Sequence, residues 1–145
     1  MVPPLRPPAA AIILAGFMGT GKSAVAELLS QCWRLSSVDT DAMIEAQVGT
    51  SIAEVFATRG EPYFRDLETT VLRQLAREDG LVVSTGGGIL LRSQNVELLR
   101  QMGPIICLHA SAETIMQRAA ASDERPLLNR PDAAAEIRQI GRAHV

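Results

Sequence analysis

The sequence is poor in aromatic residues and in net charge, and it has only two cysteines. Phe, Trp and Tyr make up 3% of its 145 residues, and the net charge at pH 7 is −2. Nucleic-acid binders need a basic surface or rings on which bases stack, so neither value favours nucleic acid as the main partner. Cys32 and Cys107 lie far apart without CxxC spacing. This predicts two reduced thiols in a cytoplasmic protein.

Long apolar runs are missing as well. No run approaches the roughly 20 residues of a membrane span, so we expect no membrane partner. The segment "AAAIILAG" runs into a glycine-rich loop rather than a cleavage site, and we do not interpret it as a signal peptide. A hydrophobic fraction of 47% and a charged fraction of 21% fit one globular domain. We expect residues 1–10, "MVPPLRPPAA", to be a disordered proline-rich lead-in.

Short apolar runs alternate with segments of helical periodicity. The runs "AIILAG", "LSSVDTD", "LVVST" and "IICLH" predict four strands, and Ser51 and Ser93 are expected to cap two of the intervening helices. This alternation predicts an α/β fold with a parallel sheet and helices on both faces. Ligands of such sheets bind beyond the carboxyl ends of the strands. Three stretches follow strand ends here: "GFMGTGKS", "DTD" and "TGGG".

The first of these stretches, residues 16–23, matches the pattern G-x-x-x-x-G-K-[ST] between a strand and a helix. Its glycines let the backbone curl so that N–H groups and the positive helix end face an anion. Lys22 would reach the β- and γ-phosphates, and Ser23 would ligate Mg²⁺. The alternative is a glycine-rich turn without a ligand. We expect nucleotide contacts from Gly19, Thr20, Gly21, Lys22, Ser23 and Ala24.

Two further constellations are ambiguous from the residues alone. Asp39 and Asp41 follow the second strand, and they either serve magnesium and an acceptor hydroxyl or form a helix cap followed by a surface acid. Arg65 and Glu68 stand at i, i+3 in "FRDLE" and can meet on one helix. They form either a surface ion pair or a carboxylate-binding site with Phe64 as its apolar wall.

The remaining candidates are glycines and arginines. Gly86, Gly87 and Gly88 either form a loose turn or bring backbone N–H groups close to a ligand, and we favour the second. Arg125, in the proline-flanked "DERPLL", belongs either to a lid over the transferred phosphoryl group or to the solvated surface. Arg118 either stacks on the nucleotide base or is a helix-surface charge.

Taken together, these motifs resemble the shikimate kinase family. "GFMGTGKS", "DTD", "SIAEVFATRGEPYFRDLE", "TGGG" and "RPLL" occur in the family's order and at its spacing. The resemblance implies a P-loop NTPase three-layer sandwich with sheet order 2-3-1-4 and a lid loop. It implies transfer of the γ-phosphoryl group of ATP, with Mg²⁺, to the 3-hydroxyl of shikimate in aromatic amino-acid biosynthesis. It also implies a cytoplasmic protein, which we expect to be a monomer.

The resemblance also implies a role for each matching residue. Lys22 and Ser23 keep the roles given above, and Lys22, Asp41 and Arg125 would be catalytic. Asp39 would support magnesium through water, Asp41 would bind the hydroxyls of shikimate and accept a proton, and Arg65 would bind the carboxylate. Gly86, Gly87 and Gly88 would make backbone contacts to shikimate. Arg125 would make the lid contact, and Arg118 would lie over adenine.

The sequence departs from the family pattern at its end. The family's fifth edge strand, second carboxylate-binding arginine and adenine loop have no match, and Arg142 lies one position short of that arginine. We therefore interpret residues 11–140 as an incomplete kinase domain and residues 141–145 as a non-native tail. Two alternatives stay open: a related P-loop kinase of the gluconate type, and a nucleotide-binding fragment without turnover.

Overall fold

Four parallel strands form the central sheet of the protein. A computed structural model describes residues 11–17 and 20–120, with side chains to residue 118. The strands are β1 (Ala11–Ala15), β2 (Ser36–Asp39), β3 (Leu81–Ser84) and β4 (Ile105–Cys107), in the order β2-β3-β1-β4. The predicted order 2-3-1-4 is thereby confirmed. The predicted lead-in, lid loop and C-terminal tail lie outside the described residues, and so does Arg125.

The strand register brings the carboxyl ends of three strands level with one another. Ser84 at the end of β3 pairs with Leu14 of β1 on one side and with Asp39 of β2 on the other. The backbone N–H of Thr85 continues this ladder by donating to the Leu14 carbonyl at 3.0 Å. The segments that follow β1, β2 and β3 therefore leave the sheet at one edge, which is where parallel sheets bind ligands.

Six α-helices connect or flank the strands in the described residues. Of the two predicted caps, Ser51 is confirmed, because its Oγ accepts from the Glu54 N–H at 3.1 Å. The prediction for Ser93 is wrong, because Ser93 is the first residue of its helix and Arg92 is the N-cap residue. The Arg92 carbonyl accepts from the N–H groups of Asn95 and Val96. The helices are α1 (Lys22–Trp33), α2 (Thr40–Val48), α3 (Ile52–Arg59), α4 (Glu61–Leu75), α5 (Ser93–Met102) and α6 (Ala112–Ala120), with a 3₁₀ turn over Ile89–Leu91.

Helices cover both faces of the sheet, as the sequence predicts. The alternating side chains of β1 are all buried, and Ile13 packs with α2 to α5 in the larger core. Ile12 and Leu14 point to the other face and pack against Ala26 of α1. This places β1 at the centre of a three-layer sandwich. Within the described part of the chain, no helix has both the length and the apolar character needed to cross a membrane.

Candidate active site

The described part of the loop after β1 contacts the side chain of Lys22. The Lys22 ammonium donates to the carbonyls of Gly16 at 2.5 Å and Phe17 at 3.0 Å. Gly16 and Gly21 have φ values of 136° and 97°, which favour glycine. A side chain at Gly16 would also collide with the Leu108 carbonyl oxygen. The backbone conformation at Gly16 and Gly21 therefore requires glycine.

The start of α1 faces this loop with its first N–H groups. Gly21 is the N-cap residue, and no described side chain caps the helix, so its first N–H groups can serve an anion. Ser23 and Ala24 stand exposed in the first turn, and Thr20 precedes it, whereas Gly19 lies outside the described residues. The guanidinium of Arg118, from α6, lies 3.8 Å from the point that a Cβ on Gly21 would occupy. The structure therefore brings Arg118 to the phosphate loop.

The loop after β2 places two carboxylates in different environments. Asp39 caps α2, because its Oδ1 accepts from the N–H groups of Asp41 at 2.9 Å and Ala42 at 3.0 Å. This is the cap that the sequence left open as an alternative. The second part of that alternative, a surface acid at Asp41, is wrong. The Asp41 Oδ1 is buried, and it is the one buried side-chain polar atom without a hydrogen-bond partner among the described residues.

The environment of Asp41 changes its ionisation. Burial, followed by the negative charges of Asp39 and Glu68, raises the pKa of Asp41 from 3.8 to about 6, while the charge of Lys22 opposes this shift. The carboxylate lies against the glycine loop, because a Cβ on Gly86 would come within 2.6 Å of its Oδ1. Buried carboxylates with a raised pKa and an unsatisfied oxygen are typical of functional sites.

On α4, Arg65 is held between two carboxylates of its own helix. Its Nη1 donates to both carboxylate oxygens of Glu68, at 3.0 and 2.9 Å, which confirms the predicted contact. Its Nε and Nη2 both donate to one oxygen of Glu61, at 3.3 and 3.1 Å. Burial would lower the pKa of Arg65, but the two carboxylates outweigh it and raise the pKa, so the guanidinium stays charged. The Glu68 side chain is fully buried, whereas that of Glu61 is 58% exposed.

The wall beside Arg65 is apolar, as the sequence suggested. The Arg65 guanidinium carbon lies 5.3 Å from the centre of the Phe64 ring, within the range of a cation–π contact. The Phe64 ring in turn packs on Phe56, with ring centres 4.8 Å apart. The Phe64 ring therefore lies against the guanidinium and is itself packed on Phe56.

The glycine loop after β3 lies against both charged groups. Gly86 meets Asp41, and Gly88 meets Arg65, because a Cβ on Gly88 would come within 2.5 Å of Nη2. Gly88 has an ordinary φ of −103°, so close approach explains its lack of a side chain. Two residues of backbone span at most about 7 Å. The arrangement therefore suits a small molecule that carries both a carboxylate and a hydroxyl.

Several residues around this loop were missed in the sequence. Thr40 accepts from the Gly86 N–H at 3.0 Å through Oγ1 and fixes the loop to the start of α2. Thr40 lies between Asp39 and Asp41, so its place in the sequence could have identified it as a site residue. Glu61 also had a signal, since it stands at i−4 from Arg65. Thr69 and Asn95 had none, because their contact joins residues 26 apart in sequence.

The fold and the site together define a class of protein. A parallel sheet, a glycine-rich loop that leads into a helix with lysine at its start, and a charged pocket beside it are the parts of a P-loop kinase. Comparison with known proteins narrows the class. The family model described as shikimate kinase matches residues 18–144. The chain belongs to the shikimate kinase family.

Individual relatives agree with this assignment. Shikimate kinase of Deinococcus radiodurans is 47% identical over 133 residues, which are 92% of this chain and 67% of that protein. Shikimate kinase of Caldicellulosiruptor bescii is 39% identical over 126 residues, which are 87% of this chain and 73% of the relative.

Solved structures give the same result. The structure of Acinetobacter baumannii shikimate kinase in complex with shikimate matches with a TM-score of 0.86 at 34% identity, over 91% of this chain and 74% of that one. A gluconokinase from Sinorhizobium meliloti matches with a TM-score of 0.57 at 17% identity, over 91% of this chain and 74% of its own. At 17% identity, the similarity to the gluconokinase shows the fold alone. The shikimate kinase assignment is therefore favoured over the gluconate-type alternative.

Proposed function

We propose that this chain transfers the γ-phosphoryl group of ATP to the 3-hydroxyl of shikimate. The observation that carries the proposal is the placement of Asp41 and Arg65 at two glycines of one loop, Gly86 and Gly88. A base and a carboxylate receptor beside the same short loop fit an acceptor that is both a carboxylic acid and an alcohol. The relatives named shikimate kinase support the same acceptor.

Asp41 binds the acceptor hydroxyl and takes its proton. With a pKa of about 6, the carboxylate is largely ionised at pH 7 and is more basic than an exposed aspartate. A base whose pKa lies near the working pH combines availability with driving force for proton transfer. The acceptor hydroxyl would also give the unsatisfied Oδ1 the hydrogen-bond donor that it lacks in the described residues.

Arg65 binds the acceptor carboxylate. Its Nη1 is tied to buried Glu68, which fixes the guanidinium plane, while the Nε and Nη2 edge faces the exposed Glu61. The acceptor carboxylate replaces Glu61 on that edge, where two parallel N–H groups match its geometry. Gly86, Gly87 and Gly88 would then provide backbone contacts to the bound acceptor, although the Gly86 N–H already donates to the Thr40 hydroxyl.

The loop after β1 and the start of α1 bind the nucleotide. The residues fit this role, because uncapped N–H groups, the Lys22 ammonium and the exposed Ser23 hydroxyl meet there. Bound ATP with Mg²⁺ supplies the phosphoryl group and a divalent positive charge. Ser23 would hold the metal, and Asp39 would hold it through water with Oδ2, since Oδ1 caps α2. Lys22 compensates charge on the transferred group.

Other parts of the proposal come from the family resemblance. We propose that Gly19, Thr20, Gly21 and Ala24 contact the phosphates, that Arg118 lies over adenine, and that Arg125 closes on the phosphoryl group. The proximity of Arg118 to Gly21 supports its assignment. Cys32 and Cys107 are exposed and free, which supports a cytoplasmic location, where thiols stay reduced. The monomeric state stays a prediction.

A coupled assay of ADP release tests the proposal. We expect release that depends on shikimate, with gluconate as the comparison substrate. In the Arg65→Ala variant the KM for shikimate should rise about 10- to 100-fold, because one charge-assisted hydrogen-bonded contact is lost. Arg73→Ala, an exposed arginine on the same helix, is the matched control and should change little.

Two results would contradict the proposal. An unchanged KM and kcat in the Arg65→Ala variant would mean that the acceptor binds elsewhere. If ATP raises the melting temperature of the chain while shikimate releases no ADP above background, the chain is a nucleotide-binding fragment without turnover.

A further inference from the structure

A buried polar contact joins the helix of Arg65 to the glycine loop. Thr69 on α4 is 4% exposed and Asn95 on α5 is fully buried, although both side chains are polar. Thr69 Oγ1 donates to Asn95 Oδ1 at 2.7 Å, and Asn95 Nδ2 donates to the Ile89 carbonyl at 3.1 Å. Burial of such groups is unfavourable unless they are hydrogen-bonded. Here the partners come from three separate segments of the chain.

The two ends of this contact lie next to the proposed acceptor pocket. Thr69 stands one helical turn after Arg65, and Ile89 directly follows Gly88. Arg65 and Gly88 are themselves so close that even a methyl group on Gly88 would overlap the guanidinium. A small shift of the loop relative to α4 therefore changes the space available for a carboxylate at Arg65.

The chemistry of residue 95 fits a bridge between these segments. The Thr69 hydroxyl lies 3.2 Å from the Arg65 carbonyl and donates to the Asn95 amide oxygen at the shorter distance of 2.7 Å, while the Ile89 carbonyl accepts from the amide nitrogen. A primary amide offers a donor and an acceptor at once. Leucine would offer neither, and an ionised aspartate would offer only the acceptor. The Ile89 carbonyl sets the orientation of the amide, since only the amide nitrogen can donate to it.

We propose that Thr69 and Asn95 are positioning residues that set the distance between the glycine loop and Arg65, and thereby the binding of the acceptor carboxylate. This inference rests on the proposed function, in which Arg65 binds that carboxylate. Neither residue touches the reacting groups, so their effect acts through Gly88 and Arg65. A role in core packing alone would change stability, but it would not change the KM for shikimate more than the KM for ATP.

Steady-state kinetics separates positioning from packing. We expect Thr69→Val, which keeps the side-chain shape, to raise the KM for shikimate about five- to tenfold, as expected for one buried hydrogen bond, and to leave the KM for ATP unchanged. Thr69→Ser keeps the hydroxyl and should restore the KM for shikimate. The matched control is Thr70→Val, which removes an exposed hydroxyl that bonds to the Asp66 carbonyl at 2.9 Å.

Amide hydrogen exchange provides a readout that does not depend on turnover. The N–H groups of Ile89 and Leu91 donate to the carbonyls of Gly86 and Gly88, at 3.2 and 3.1 Å. In the Thr69→Val and Asn95→Asp variants these amides should exchange faster, while those of β1 and β3 stay protected. In the Thr70→Val variant neither set should change.

Each result supports or overturns the inference. A selective rise in the KM for shikimate, with faster exchange of the loop amides, supports it. Unchanged loop exchange, or equal changes in the KM values for both substrates, overturns it. If the unaltered chain shows no ADP release that depends on shikimate, the proposed function fails, and loop exchange alone then decides whether Thr69 and Asn95 position the loop.

Discussion

Replacing Asp41 with asparagine should stabilise the protein while it abolishes the proposed activity. Burial raises the pKa of Asp41 from 3.8 in an exposed aspartate to about 6 in the folded chain. The folded state therefore binds the proton more tightly than the unfolded state, and ionisation opposes folding. The penalty is small below pH 4, grows between pH 4 and pH 6, and is constant above pH 6. Asparagine has no such penalty.

The magnitude follows from the pKa difference. At about 1.4 kcal/mol for each pKa unit, ionised Asp41 lowers the free energy of unfolding by roughly 3 kcal/mol at pH 7 and by less than about 1 kcal/mol at pH 4. The favourable interaction of a carboxylate with the first turn of α2 offsets part of this, by about 0.3–1 kcal/mol. We therefore expect the Asp41→Asn variant to be more stable by about 1–3 kcal/mol at pH 8.

Urea unfolding of the unaltered protein and of the Asp41→Asn variant, at pH 4 and pH 8, measures this difference in the free energy of unfolding. The stabilisation by Asp41→Asn should appear at pH 8 and nearly vanish at pH 4. Asp79→Asn, which changes an exposed aspartate outside this site, serves as the control. An Asp41→Asn variant that is less stable than the unaltered protein at pH 8 would refute the reasoning, because the carboxylate would then have a favourable partner. Shikimate-dependent ADP release should meanwhile fall at least about 100-fold, as for loss of a general base.

The remaining predictions concern catalysis and binding. The kcat/KM for shikimate should fall about tenfold for each pH unit below pH 6, as Asp41 takes up a proton, and a flat profile from pH 5 to pH 8 would contradict this. Lys22→Ala should abolish ADP release, measured by the coupled assay. Gly88→Ala should weaken shikimate binding, since the new methyl group displaces the Arg65 guanidinium, and calorimetric titration with shikimate measures the change in Kd. Glu61→Gln should lower that KM by less than about fivefold, because an exposed ion pair is weak; a rise would show that Glu61 assists binding.

The sheet and the phosphate loop could be predicted because their signals are local. Buried parallel strands read as short continuous apolar runs, and the loop pattern fixes the spacing of its glycines and Lys22. Asp39 and Asp41 could be located but not distinguished. The cap made by Asp39 is a local contact, whereas the buried position of Asp41 lies against Gly86, which is distant in sequence.

The support of the pocket could not be predicted. Thr69 and Asn95 are polar residues within helices, and such residues are usually exposed. Their contact depends on how α4 and α5 pack, which no short stretch of sequence specifies. Glu68 illustrates the same limit, since the spacing predicted its contact with Arg65 but not its complete burial.

The cap on α2 makes Asp39 a carboxylate with two separate tasks. Its Oδ1 accepts from the backbone N–H of Asp41, while its other carboxylate oxygen has the proposed role in supporting magnesium. Replacing Asp39 therefore disturbs the proposed base as well as the proposed metal support. A loss of activity in such a variant cannot be attributed to the metal alone. A double-mutant cycle between residues 39 and 41 would separate the two contributions.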